Sequence, residues 1–343
     1  MKRHTGTAAW RRGARRALAV AVATAGLLLG VQAVPAAGQP YCGHEVGGAI
    51  LAKYDELDGP ASQLGCPTGG EVPTPDGVGR RQVFQGGTIY WHPSTDAHAV
   101  WGGIGDKWGQ HGWETGFLGY PASDELATPD GSGRRQVFQG GTIYWHPTLS
   151  NGTHAVRGPI GDLWGNIGWE TGAFGYPTSD EQWDDELNQT YQTFSGKPGA
   201  KIWHTTDSAP DVYGCPEHGS CVGYRADSSP ADSWLKTVGV IIDQGSGNLT
   251  TRAFPTDSGF DNADRDYDEL WRQIWNTVPY PDTRLTDSEG SSLYKQVACH
   301  ARYAYLGGAL GGPSWDLETE HPDVSWDYAM NPIFVVQHEC NWD

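Results

Sequence analysis

Positive charge is scarce in this chain of 343 residues: 23 Lys and Arg stand against 41 Asp and Glu, a formal net charge of -18. Nucleic-acid binding needs a basic surface that displaces counterions from phosphates, so no nucleic-acid partner is expected, and acidic membranes are disfavoured for the same reason. Also absent are a Gly-x-Ser-x-Gly elbow, a His-Glu-x-x-His zinc motif and a phosphate-cradling loop. Long helical stretches are missing too. With 48 Gly, 22 Pro and 16 Trp, the chain favours short strands and turns over a coiled coil or helical bundle. The 38% of hydrophobic residues is still enough to fill compact cores, and the length implies two or more domains.

Residues 1–37 carry Lys2, Arg3, Arg11, Arg12, Arg15 and Arg16 without a carboxylate, then an apolar run over 17–31 and the small residues Ala36 and Ala37. This is the pattern of a cleaved signal peptide. Gly26, Gly30 and Gln32 interrupt the run, so a membrane anchor is not expected and no membrane association should persist after cleavage. Losing six basic and no acidic residues takes the formal charge from -18 to -24, which suits a neutral or cationic partner. The expected location is secreted, in the cell wall or extracellular. All six cysteines lie beyond the signal, and an even number in an exported chain implies three disulfides. Proximity suggests Cys42 with Cys66, Cys215 with Cys221 and Cys299 with Cys340.

The run Arg-Arg-Gln-Val-Phe-Gln-Gly-Gly-Thr-Ile-Tyr-Trp-His-Pro at 80–93 recurs unchanged at 134–147, an offset of 54. A degraded copy occupies 191–204, where Phe194 and Trp203 are nine residues apart instead of seven. Upstream of the copies stand Leu64-Gly65-Cys66-Pro67, Leu118-Gly119-Tyr120-Pro121 and Phe174-Gly175-Tyr176-Pro177, and upstream again Tyr54, Trp108 and Trp164. After a segment over 38–49, the chain therefore holds three tandem units, 50–103, 104–159 and 160–206. Ile104 and Trp108 share one face of a helical turn that Gly112 can end. Gly140-Gly141 predicts a two-residue hairpin turn, with Phe138 opposite Ile143 and Gln136 opposite Trp145 on one face, and Val137 and Tyr144 on the other. Phe138 and Ile143 should be core. A lone hairpin is marginal, so neighbouring units must bury one another's apolar faces, as a solenoid or a closed ring.

The Leu-Gly-Tyr/Cys-Pro corner, Asp124-Glu125 and the hairpin resemble the LGFP repeats of exported actinobacterial proteins. That resemblance implies attachment to the cell envelope through wall polysaccharide such as arabinogalactan or peptidoglycan. Tyr120, Tyr176 and Cys66 replace the family's Phe, and Cys66 implies a first unit fixed by a disulfide. Aromatic rings stack on sugar rings, and repetition turns weak contacts into avidity. The glycan-binding candidates are Tyr90 and Tyr144, expected to be the better exposed, with Trp113, Trp169, Trp91 and Trp145. Arg80-Arg81 and Arg134-Arg135 are expected to pair with Asp76 and Asp130. His92, His146 and His204, with His98 and His154, lack the convergent spacing of metal ligands, so neither metal nor cofactor is expected.

Residues 207–233 read as a turn-rich connector, and 234–343 as a small disulfide-containing α+β domain; the fold class overall is α+β and β-rich. Strands over 237–243 and 249–255 form a hairpin, helices follow over 267–278 and 293–306, the second capped by Ser291 or Ser292, and a last strand runs over 332–339. Gln296-x-x-Cys299-His300, Trp315-Asp316-Leu317-Glu318 and Cys340-Asn341 resemble an actinobacterial family of unknown function, which implies a fold but no reaction. The leading reading is a non-catalytic wall-associated protein whose C-terminal domain has a protein partner or another role. The alternative is an envelope glycan or lipid hydrolase or transferase using Asp316, Glu318 or His300.

Overall fold

The computed structural model describes residues 38–206, 219–227, 234–278, 285–303, 314–332 and 340. The expected signal peptide over 1–37, Cys215 of the expected Cys215–Cys221 pair and all but the first residue of the expected last strand over 332–339 lie outside them.

A short hairpin of β1 (Gln39–Tyr41) and β2 (His44–Val46) leads into the first unit. That unit comprises α1 (Gly48–Glu56) and an antiparallel sheet of β3 (Val72–Pro73), β4 (Arg80–Val83), β5 (Gly87–His92) and β6 (Asp96–Trp101). The second repeats it with α2 (Gly102–Gln110), β7 (Leu126–Ala127), β8 (Arg134–Phe138), β9 (Gly141–His146) and β10 (Gly152–Val156). The third has α3 (Gly158–Asn166), β11 (Gln182–Asp184), β12 (Gln189–Thr193) and β13 (Lys201–Thr205). Each helix is nine residues long, more than the single turn expected.

One hydrogen bond explains why the helix aromatic and the Leu-Gly-x-Pro corner occur together. Tyr54 donates to Gly65 O at 2.6 Å, Trp108 Nε1 to Gly119 O at 3.0 Å and Trp164 Nε1 to Gly175 O at 3.1 Å. The three acceptor glycines share φ of 64°, where a side chain is strained.

The hairpin register differs from expectation by two residues. Phe138 pairs with Gly141 and Gln136 with Ile143, so Gln139 and Gly140 make the turn. The corner decides this: Gly140 N donates to Leu118 O and Gln139 N to Tyr120 O, and a Cβ on Gly140 would lie 2.1 Å from Phe117 O. Because side chains alternate with period two, the shift leaves the faces as expected, and Phe138 and Ile143 are core.

The units are stitched in sequence. The buried Gln136 side chain donates to Ala99 O and Ser123 O, and Gln82 and Gln192 make the equivalent bonds. Lys53 pairs with Asp124 at 2.7 Å and Lys107 with Asp180 at 2.6 Å, each reaching the following unit. Tyr120 donates to Asp76 Oδ2 at 2.7 Å, and Tyr176 reaches Asp130 at the same distance. The aspartates expected to hold the arginines are thus held by tyrosines. Arg80 and Arg134 lie instead 3.8 and 3.5 Å from Glu71 and Glu125. Cys66, where the first unit has no preceding turn to reach, bonds Cys42, with Cα atoms 5.9 Å apart.

The expected connector over 207–233 contains a strand, β14 (Cys221–Asp227). It pairs with β13 and continues into β15 (Leu235–Asp243) and β16 (Leu249–Pro255). After α4 (Asp257–Asn262), α5 (Tyr267–Thr277) and α6 (Asp287–Tyr303), β17 (Trp315–Glu318) joins β16 and α7 (Trp326–Ala329) follows. The third unit and C-terminal region therefore share one seven-stranded antiparallel sheet and one hydrophobic core. Asp266 caps α5, accepting from Glu269 N at 3.0 Å. The second helix begins before Ser291, because Thr286 and Glu289 form a reciprocal capping box. Cys299 bonds Cys340; Cys221 is disulfide-bonded as well.

Candidate functional site

The two tyrosines expected to be exposed are buried: Tyr90 and Tyr144 are each 2% accessible. Both hairpin faces are covered, one by the unit's own helix and the other by the next. Tyr90 meets Trp108 edge-on at 4.7 Å and Tyr144 meets Trp164 at 4.9 Å. Burial raises the pKa of both phenols. These rings hold neighbouring units together and have no face to offer a sugar.

The tryptophans fare differently. Trp113 and Trp169 are 48% and 47% exposed, Trp145 is 37% exposed and Trp91 is half-buried. Trp113 and Trp169 start short 3-10 turns at φ of 57° and 53°, a left-handed region unfavourable to a large side chain. Each ring lies edge-on to the helix tryptophan, Trp108 or Trp164, at 5.6 and 5.4 Å. A Cβ on Gly109 or Gly165 would come within 2.8 or 2.5 Å of that ring, so glycine on the helix gives the indole its seat. The remaining ring surface faces water.

A cleft of about 390 Å³ opens beside Trp145. Its walls include Trp101 at the end of β6 and Trp145 on β9, with Gln63, Glu125, Ser132 and Arg134 as polar groups, and the start of α2 completes it. A Cβ on Gly103 would lie 2.9 Å from Thr153 Oγ1 and 4.0 Å from the Trp145 ring, so glycine keeps the helix start open. Two aromatic walls with a few polar groups make a concave site suited to a small polar ring. Burial raises the pKa of Glu125 against the pull of nearby Arg134. Trp101 escaped the sequence reading because it is not repeated: it immediately precedes α2, and Gly47 and Arg157 hold the corresponding positions before α1 and α3. Difference between copies was the available signal.

The repeat histidines have protein partners: His98 Nδ1 lies 3.2 Å from Asp124, and His154 3.6 Å from Asp180. Burial alone would raise the pKa of Asp124, but hydrogen bonds from His98 and Lys53 bring it down to about 2.

In the C-terminal region the Gln-Cys-His and Trp-Asp-Leu-Glu motifs come together as scaffold. Gln296 brackets the backbone of Glu318, donating to its O and accepting from its N, both at 2.8 Å. Arg252 grips Asp316 with two hydrogen bonds of 2.6 Å. His300 reaches Asp316 O at 3.3 Å, and oxidised Cys299 is no nucleophile. Asp316 and Glu318 alternate on β17 as expected, but each carboxylate is engaged, Glu318 with His321 at 2.6 Å. Glu318, Glu320 and His321 bring ligand atoms within 4.8 Å of one another. Glu320 is held by Asn248 at 2.7 Å, so hydrogen bonds and one ion pair account for the group.

The model of the LGFP repeat family matches residues 64–116 and 118–172. The model described as protein of unknown function (DUF2599) matches residues 239–341. No curated protein matches the chain. LGFP repeats accord with a cell-wall-associated protein, and the disulfides with an extracellular one. Among the described residues no helix is long and apolar enough to cross a membrane. The chain therefore carries two LGFP repeats and, C-terminal to them, a DUF2599 domain.

Proposed function

We propose that the protein is exported and retained in the cell wall as a non-catalytic component, its repeats binding envelope polysaccharide, arabinogalactan or peptidoglycan. The observation that carries this reading is the cleft walled by Trp101 and Trp145, with Gln63, Glu125, Ser132 and Arg134 within it. Its volume of about 390 Å³ falls in the range of small-ligand pockets. Trp113 and Trp169 supply exposed aromatic surfaces outside the cleft, so binding is shared among several weak contacts. Residues 160–206 are a third, divergent repeat in this reading, since Trp164, Gln192 and Tyr176 repeat the bonds of Trp108, Gln136 and Tyr120. The acidic character of the chain suits a neutral glycan.

The test is retention of disulfide-intact protein lacking residues 1–37 on purified wall polysaccharide, with an unrelated polysaccharide resin as control. Trp145→Ala and Trp101→Ala should each weaken retention about tenfold, the equivalent of about 1.4 kcal/mol for a stacked ring. Equal retention on both resins, or variants that fold and bind like the parent, would refute the reading.

A further inference from the structure

Aromatic side chains also gather on a face of the C-terminal domain, away from its scaffold motifs. Tyr267, Trp271 and Trp275 recur every four residues along α5 and so form one stripe. Tyr294 of α6 and Trp326 of α7 widen it. Ring centroids lie 5.5 Å apart for Trp271 and Trp275, 5.7 Å for Trp271 and Tyr294, and 5.8 Å for Tyr294 and Trp326, making one contiguous surface. Leu270 and Ile274 are the fully buried residues of the helix, whereas Trp275 and Trp326 are 36% and 42% exposed.

The charge around these rings has one sign in excess. Asp266, Asp268 and Glu269 open α5, and Asp323 and Asp327 flank Trp326. The cations on the same elements are engaged: Arg272 pairs with Glu269, Lys295 pairs with Asp323, and Arg302, at the far end of α6, lies 5.8 Å over the Tyr303 ring. Across residues 234–343 there are 17 acidic and seven basic side chains. The face also shows how it would hold a cation. The Lys295 ammonium lies 5.7 Å over the Trp326 ring while paired with Asp323, held by a ring and a carboxylate together.

We propose that this face docks a cationic protein segment, with Lys or Arg side chains lying over Trp275 and Trp326 and the carboxylate rim balancing their charge. A neutral glycan would use the rings and gain nothing from the rim. A basic peptide uses both, and its binding must weaken as salt screens the rim.

The experiment is calorimetric titration of the disulfide-intact chain lacking residues 1–37 with a 12-residue probe peptide of Lys, Arg and Leu. A Glu and Leu peptide of equal length and a neutral oligosaccharide serve as controls. The basic peptide should bind and lose affinity as salt rises, while the controls bind at least tenfold more weakly. Trp326→Ala and Trp275→Ala should each weaken binding about three- to fivefold. Asp327→Asn, which leaves every ring in place, should weaken it about twofold, so the proposal stays testable even where a ring variant misfolds. Trp145→Ala in the repeats should change nothing, which separates this face from the cleft. Equal binding of the acidic peptide, no binding of the basic one, or folded Trp275, Trp326 and Asp327 variants with unaltered affinity would overturn the proposal.

Discussion

The first unit and the two that follow share an order of nine-residue helix, 3-10 turn and antiparallel strands but meet its demands with different residues. Where the helix gives way to the 3-10 turn, two successive positions are left-handed: Asp58 and Gly59 in the first unit, Gly112 and Trp113 or Gly168 and Trp169 in the others, so glycine and the bulkier residue exchange places. Tyr41, from the N-terminal hairpin, lies edge-on to Tyr54 at 5.0 Å, as Trp113 does to Trp108. Cys66 likewise uses a disulfide to Cys42 where Tyr120 and Tyr176 reach an aspartate of the preceding unit. An end unit has no predecessor, so its own N-terminal segment supplies the missing cover and tether, the role of a cap in repeat proteins. The later units instead retain a tryptophan in a conformation that costs about 1–2 kcal/mol in an L residue, and leave half of it in water.

That contrast can be broken most severely at the helix aromatic. Trp164→Ala removes a fully buried indole and its bond to Gly175, and should cost about 3–5 kcal/mol in denaturant unfolding. A loss below about 1 kcal/mol would mean that the shared core does not depend on it.

Next in size is the acid response of the first seam. Asp124 has a folded-state pKa of about 2 against an ordinary 3.8. A depressed carboxylate stabilises the fold fully above its unfolded pKa and loses that stabilisation as pH falls. Between about pH 4 and pH 2 the protein should lose about 2 kcal/mol through this group, and Asp124→Asn should flatten that part of the pH profile. Matching profiles for variant and parent would remove Asp124 from the account.

Smallest is the effect of copying the first unit's residue into the second. Trp113→Gly relieves the strained φ but gives up packing on Trp108, so unfolding stability should change by no more than about 1 kcal/mol. Its retention on wall polysaccharide should nevertheless fall. Preserved retention would leave that tryptophan with a packing role alone.

Much of the repeat was legible because identical strings expose a period. The core roles of Phe138 and Ile143 and the Cys42–Cys66 and Cys299–Cys340 pairings follow from the sequence reading and stand in the structure. Tyr90 and Tyr144 were misplaced because alternation tells which residues share a face, not whether a second unit covers it. The turn moved by one residue, and the register with it by two, because Gly140 is reserved for contact with the Leu-Gly-Tyr-Pro corner, a demand from a segment some twenty residues upstream. Trp101 was invisible to an argument built on sameness.

By itself the sequence determined the tandem order, the set of six cysteines open to pairing and the alternation that divides each hairpin into two faces, since all three depend on local spacing and residue type. Only the tertiary structure decided which aromatic rings meet water, and that the third unit's sheet runs on into the C-terminal strands. Burial and sheet continuation are set by what packs or hydrogen-bonds alongside, and those neighbours lie far away in the chain.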